Sequence, residues 1–428
     1  MQEQFENENN EQLRDPAIEE AQSAPTANER VTDSDFEERV RREIEERVRK
    51  EAEESVRREL EERVRREAEE REQRQAEERA KKDEARKALR FASSRLGWAT
   101  VVLVAVWMGT MFAAQTVLLL LDGLGGFSAE AFFGRYSLII NELTLAVGIA
   151  VAAGVLRSVQ RVNINREAIS AGRFMKILLM CFGAGYIGNL IGSRLLSLWN
   201  AFTGNSAGDE LETLLFDIDP LLMFISVGIL APILEELFFR KILTERLRVF
   251  GETTAILLPA FLFALFHQSA EQIVYAFAVG VLLGYFYCRT GKYWLTVLIH
   301  AIFNTVSGVI PMLFMPKVNG FYMEMESLFG PELEALETLD PTAIWDMIQP
   351  LLTEYGLALG LYALYALVIL AVDIAGVVVL VVNVKKFKAK GGEYALTFKE
   401  SAGTVFRTPG VIVCTVVLGI LTLTSLFA

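Results

Sequence analysis

DPLLMFISVGILAPILEELFFR, residues 219–240, decides the fold. Between Asp219 and Glu235 it carries no charge and is apolar enough to enter a bilayer, and it then presents Glu235, Glu236 and Arg240. A titratable group at bilayer depth is expensive and persists mainly where it faces a protein interior or a water-filled cavity, so such residues are functional candidates by default. The chain's only two histidines, His267 and His300, also sit in strongly apolar segments. Three converging segments of this kind read as a catalytic site built inside a membrane domain.

Composition fits a chain in two parts. The 428 residues are 52% hydrophobic yet 22% charged, a mixture that one uniform class does not explain. Residues 1–96 hold 29 of the 54 Asp and Glu and 22 of the 42 Lys and Arg, so the net charge of −12 divides into −7 and −5. Neither part is basic, which argues against a nucleic-acid partner, since that needs a clustered positive footprint. Cys181, Cys288 and Cys414 lie in apolar segments, without the spacing of a metal motif or a disulfide framework, and read as small core residues. The opening MQEQFENENN has neither a basic region nor an apolar stretch, so no cleaved signal peptide is expected.

Residues 1–35 are polar and punctuated by proline, the composition of a disordered tail. Over 36–92 an eight-residue repeat follows, EERVRREI, EERVRKEA, EESVRREL and onward, pairing Glu37 with Arg41, Glu38 with Arg42 and Glu46 with Lys50 at i and i+4. Its apolar residues, from Val40 and Ile44 to Val64 and Ala68, recur every four positions. A coiled-coil seam needs a mean spacing near 3.5, so a charge-laced single helix is the preferred reading and a coiled coil the alternative. At 1.5 Å per residue, about 48 residues of such a helix would span roughly 70 Å. It carries no catalytic constellation and reads as a spacer or an arm for a protein partner.

Residues 97–428 form the membrane domain, with the site-bearing core at about 219–315. Nine apolar segments can be counted, at roughly 97–121, 134–156, 174–201, 219–239, 254–267, 273–288, 293–315, 353–384 and 409–428. The fold class is therefore all-α, a polytopic membrane helix bundle of about 8–9 transmembrane helices with a long charged N-terminal helix. Arg157, Arg161, Arg166 and Arg173 follow the second segment, and Arg240, Lys241, Arg246 and Arg248 the fourth. Arg289 and Lys292 follow the sixth, and Lys385, Lys386, Lys388 and Lys390 the eighth. The positive-inside rule then puts the N-terminus in the cytoplasm of a multi-pass protein, expected in the cell membrane of a bacterium. Segments five and six are short, and the polar Gln268–Gln272 turn between them suggests a hairpin lining a wet cavity, with His267 at its tip. On that reading His267 lies about 20 Å deep while Glu235 and His300 are shallow, a gap the fold must close. Gly188 with Gly192, and Gly280 with Gly284, have the spacing of close helix packing.

Arg240 lies four residues after Glu236, on the same helical face, where an ion pair forms; Glu235 points about 100° away and is left free as a general base. His267 ends FALFH, and HAIFN puts His300 and Asn304 on one face, suited to polarising a carbonyl and holding an oxyanion. Taken singly, each piece has a structural reading: an interfacial charge cluster, a packed histidine, or an amide joining helices.

These motifs resemble those of the CPBP intramembrane proteases, which include the type II CAAX prenyl endopeptidases and the bacteriocin-processing and self-immunity (Abi) proteins. The family signature EExxxR, FxxxH and HxxxN or HxxxD is matched by Glu235, Glu236 and Arg240; by Phe263 and His267; and by His300 and Asn304. The resemblance covers about 221–310 and implies peptide-bond hydrolysis at a cavity open toward the cytoplasm, acting on a membrane-associated, CAAX-type or small peptide substrate. It makes Glu235 the base, with His267 and His300 assisting, Asn304 at the oxyanion, and Glu236 with Arg240 holding the site together. It leaves the cofactor open between none and Zn²⁺ held by Glu235, His267 and His300, and the metal-free form is the expectation carried forward. The alternative is a catalytically silent membrane scaffold or self-immunity protein. A transporter is disfavoured because the motifs occur once, not in matching halves.

Overall fold

Charge pairing along the first helix accounts for its persistence without packing. The computed structural model describes residues 27–204, 219–329, 340–394 and 396–427; they contain helices and no strand. Residues 1–26 of the expected disordered tail lie outside them. Helix α1 runs Ala27–Asp122, so it begins inside the segment read as a tail and takes in the repeat and the first apolar segment alike. The chain divides into two compact units, Met1–Arg79 and Ala80–Ala428. In the first, positions 35–79 are exposed throughout. Glu38 pairs with Arg42 and Glu46 with Lys50, both at 3.4 Å, while Arg41 turns forward to Glu45 at 3.5 Å rather than back to Glu37. Pairs this exposed are each worth about 0.3–0.5 kcal/mol, enough to support a helix only in number.

The second unit is a helical bundle. The remainder of α1 buries Leu89, Ala92, Leu96, Ala99 and Leu103, spaced three or four apart. The other helices are α2 (Ala129–Val155), α3 (Ala171–Thr203), α4 (Pro220–Phe250), α5 (Glu252–Phe266), α6 (Ile273–Thr290), α7 (Tyr293–Asn304), α8 (Met315–Phe329), α9 (Pro341–Val384), α10 (Phe398–Val405) and α11 (Pro409–Thr424). Seven helices among the described residues are long and apolar enough to cross a membrane, or eight if α10 and α11, bent by 73°, make one span. The nine segments counted from sequence include α5, whose 15 residues are too short to qualify. All three cysteines are buried and unpaired.

Small residues set the crossings that shape the interior. A Cβ at Gly188 would collide with the backbone of Tyr275, and one at Gly192 with the carbonyl of Glu271, so the first GxxxG pair seats α3 on the start of α6. Gly280 and Gly284 lie against Ala260 and Ile256 and seat α6 on α5. A third crossing, unrecognised in the sequence, puts Gly183 of α3 flush against Gly376 of α9.

The four basic clusters meet at one end of the bundle. Arg161 pairs with Glu245, the Glu167 amide donates to the Thr290 carbonyl (3.0 Å), and Arg289 pairs with Glu252 (2.8 Å). The Lys390 amide donates to Glu252 (2.7 Å). Their convergence is what a positive-inside arrangement requires, since all four must share one side of the bilayer.

Candidate active site

The site is carried by α4, α5 and α7. α4 is not a uniform α-helix: Phe224–Leu230 and Leu237–Thr244 are π-helical turns, and Thr305–Val309 continues α7 in the same way. Such turns shift the face that side chains present and recur at functional sites. α4 also continues unbroken through Arg240, Lys241, Arg246 and Arg248, which the sequence reading assigned to a loop. This closes the depth gap. Glu236 lies about 14 residues from the basic end of α4 at Phe250 and His267 about 15 from the start of α5 at Glu252, each roughly 20 Å along its helix.

At that depth the motif residues meet. Glu236 and Arg240 are fully buried, with Oε2 of Glu236 3.2 Å from Nε of Arg240. The guanidinium lies over the Phe263 ring, 4.8 Å from its centroid, a cation–π contact strengthened by burial. Oε1 of Glu236 accepts from Nδ1 of His300 at 3.1 Å. Because the carboxylate can only accept, the Nδ1 proton is committed and Nε2 is left toward Glu235, whose Oε2 lies 3.6 Å away. That Oε2 is buried and accepts no hydrogen bond from a described residue.

His267 is held by the same logic. Its Nδ1 donates to the Phe263 carbonyl at 2.8 Å, so Nε2 is again the free nitrogen. The Phe263 ring stands edge to face with both imidazoles, at 4.7 Å from His267 and 5.8 Å from His300. Asn304 donates through Nδ2 to the Val227 carbonyl in the first π turn (3.2 Å), leaving its second amide hydrogen unassigned. Glu235, His267, His300 and Asn304 all line one cavity of about 570 Å³, large enough for a short peptide segment.

The sequence reading gave Glu236 only to Arg240. Its second bond, to His300, could not be read because the two residues are 64 positions apart on different helices. Phe263 was quoted as a motif position without a role, and its place between Arg240 and both imidazoles supplies one. Tyr293 was missed altogether: its hydroxyl donates to the Ile233 carbonyl at 2.7 Å, tying the start of α7 to α4 just before the two acids.

A zinc ion held by Glu235, His267 and His300 would require the three side chains to converge within coordination distance. Among the described residues no three His, Cys, Asp or Glu side chains are so grouped. His300 and Glu235 approach each other, while each imidazole packs edge to face on the Phe263 ring. The residues as arranged do not fit the ion, and no chemical step is routed through one.

Comparison with known proteins bears on the segment that carries this geometry. Residues 217–306 match the family model described as Type II CAAX prenyl endopeptidase Rce1-like. The protein named "Putative membrane peptidase YdiL" of Bacillus subtilis (strain 168) is 32% identical over 112 residues, 25% of this chain and 43% of that protein. The chain thus matches less than half the length of that relative. No solved structure matches.

Proposed function

We propose, from the premise that the motif-bearing segment belongs to the CPBP family of intramembrane proteases, that this multi-pass membrane protein hydrolyses a peptide bond using water activated by Glu235. One observation carries the reading: Glu235 is the motif carboxylate left without a bonded partner, and it faces His300 on the wall of a cavity also lined by His267 and Asn304. Glu235 removes a proton from water as the water oxygen attacks the carbonyl carbon of the substrate. The tetrahedral oxyanion accepts a hydrogen bond from the second amide hydrogen of Asn304. The C–N bond then breaks, and the proton held by Glu235 passes to the leaving nitrogen.

Fixed tautomers refine the part of the histidines. With each Nδ1 proton committed, the neutral ring offers Nε2 as an acceptor, which suits aiming the attacking water rather than donating to the oxyanion. Glu236 and Arg240 act through His300 and are positioning residues. The substrate is a membrane-associated or small peptide, of CAAX type where prenylated proteins are made. The N-terminal helix lies in the cytoplasm of a bacterial cell as a spacer or partner-binding arm, following the positive-inside reading.

The test is cleavage of fluorogenic peptides, prenylated and plain, by detergent-purified wild type, Glu235→Gln and His300→Ala. The reading expects activity in wild type alone, with all three proteins melting alike. Activity undiminished in Glu235→Gln would sink it in favour of a scaffold.

A further inference from the structure

The cavity lining carries a charge that the proposed chemistry does not use. Asp373 is the only charged residue between Glu354 and Lys385 on α9, and it lies outside the segment matched by the family model. It lines the same cavity as Glu235 and His300. Tyr365, Ile369 and Asp373, spaced by four, form the face of α9 that bounds this space. That face is fixed. The Tyr365 hydroxyl donates to the Val306 carbonyl at 2.6 Å, joining α9 to the continuation of α7, and Gly376, nearly one turn beyond Asp373, lies flush on Gly183.

Asp373 is half-buried and forms no hydrogen bond or ion pair among the described residues. The described lining includes two carboxylates, Glu235 and Asp373, and no Lys or Arg. Tyr365, on one face of α9 with Asp373, and Tyr186 and Tyr275 contribute aromatic surface to the same cavity. An uncompensated carboxylate at bilayer depth is costly unless something answers its charge. Carboxylate and aromatic faces together recognise a cation, whose charge the acid neutralises and whose apolar stem the rings cover. An anionic group would meet two like charges in a low-dielectric space.

We infer that Asp373, with Tyr365 on the same helix face and the aromatic lining of the cavity, forms a subsite for a cationic group of the substrate, so that the peptide cleaved carries a Lys or Arg near the scissile bond. The inference rests on the protease reading above and names its substrate class. Asp373 sets specificity and touches no reacting atom.

The experiment uses the full-length protein in detergent and a set of quenched fluorogenic peptides, identical except for Lys, Gln or Glu at each position flanking the scissile bond. Wild type is expected to prefer Lys over Gln at one position by on the order of 10- to 100-fold in kcat/KM. Asp373→Asn should remove that preference, so that the Lys and Gln peptides are cleaved alike by the variant, Asp373→Glu should restore it, and Asp373→Lys should favour the Glu peptide. Equal cleavage of all three peptides by wild type, or a Lys preference that survives Asp373→Asn, overturns the inference while leaving the protease reading intact. If no peptide is cleaved, or Glu235→Gln cleaves as well as wild type, it is the protease reading that fails. Binding of fluorescent Lys and Gln peptides to Glu235→Gln then decides the subsite alone: tighter Lys binding lost in Glu235→Gln/Asp373→Asn supports it, and equal affinities overturn it. Thermal melting of each variant identifies any that fails to fold.

Discussion

Removing Arg240 should cost more than removing Arg240 and Glu236 together. The two side chains are fully buried 3.2 Å apart, and at an effective dielectric constant near 20 their gross attraction is about 5 kcal/mol. Most of that attraction offsets the desolvation of both charges. Arg240→Met leaves the Glu236 charge buried with only the Nδ1–H of His300 to answer it, and Glu236→Met leaves the guanidinium buried without a counter-charge. Each single change is expected to destabilise by about 3–5 kcal/mol. In Arg240→Met, about 0.5–2 kcal/mol of this is the lost contact with the Phe263 ring. The double variant has two apolar side chains of similar length and no buried charge. Its residual cost is the orphaned Nδ1–H of His300, about 1–3 kcal/mol. Unfolding of the detergent-solubilised protein should therefore place the double variant above both singles. Peptide cleavage should stay at least about 100-fold down in the double variant, because His300 is no longer oriented. Additive stabilities, with the double variant at the sum of the singles within about 0.5 kcal/mol, would refute a coupled buried pair.

Three further outcomes are expected. Gly183→Val places a side chain where the backbone of Gly376 lies, so α3 and α9 must part; about 1–3 kcal/mol of destabilisation should appear as a lowered melting temperature, and unchanged melting would contradict the crossing. Cleavage should persist in a membrane-permeant chelator, since the site residues are not grouped around a metal position; loss that added zinc restores would overturn the metal-free mechanism. A peptide spanning 36–79 should be monomeric in sedimentation and lose helical ellipticity between low salt and 1 M salt, because its support comes from exposed ion pairs; a salt-resistant dimer would restore the coiled-coil alternative.

Much of the frame was legible because membrane helices announce themselves by composition and the charges within them are few. Glu236 with Arg240 could be paired from spacing alone, and both GxxxG pairs mark crossings that the structure uses. What escaped the sequence has a common physical origin. The basic residues 240–248 looked like a loop because loops are where positive charge collects, yet Arg240 is buried against Phe263 and Lys241 is paired to Glu245. The helix therefore runs on, and the depth of Glu235 was misjudged by that length. The π turns have no signature in propensity or period. The contacts of Glu236 with His300, and of Tyr293 with Ile233, join residues about 60 positions apart, beyond any pattern local to one helix.

Commitment of polar groups explains why Glu235 and its neighbour Glu236 have different parts. In a low-dielectric interior each buried polar atom is driven to find a partner. Arg240 is answered by the charge of Glu236 and a ring face, without a hydrogen bond from its nitrogens; Nδ1 of His300 is answered by Glu236, Nδ1 of His267 by the Phe263 carbonyl, and Asn304 by the Val227 carbonyl. The hydrogen bonds of the two imidazoles and the amide each fix a side chain and leave one defined atom free: Nε2 on each imidazole and one hydrogen on the amide. Glu235 alone among the seven motif residues has a buried oxygen turned toward Nε2 of His300 at a distance too long for a hydrogen bond. On the proposed mechanism Glu236 is thus held for orientation, while Glu235 is kept available for proton transfer.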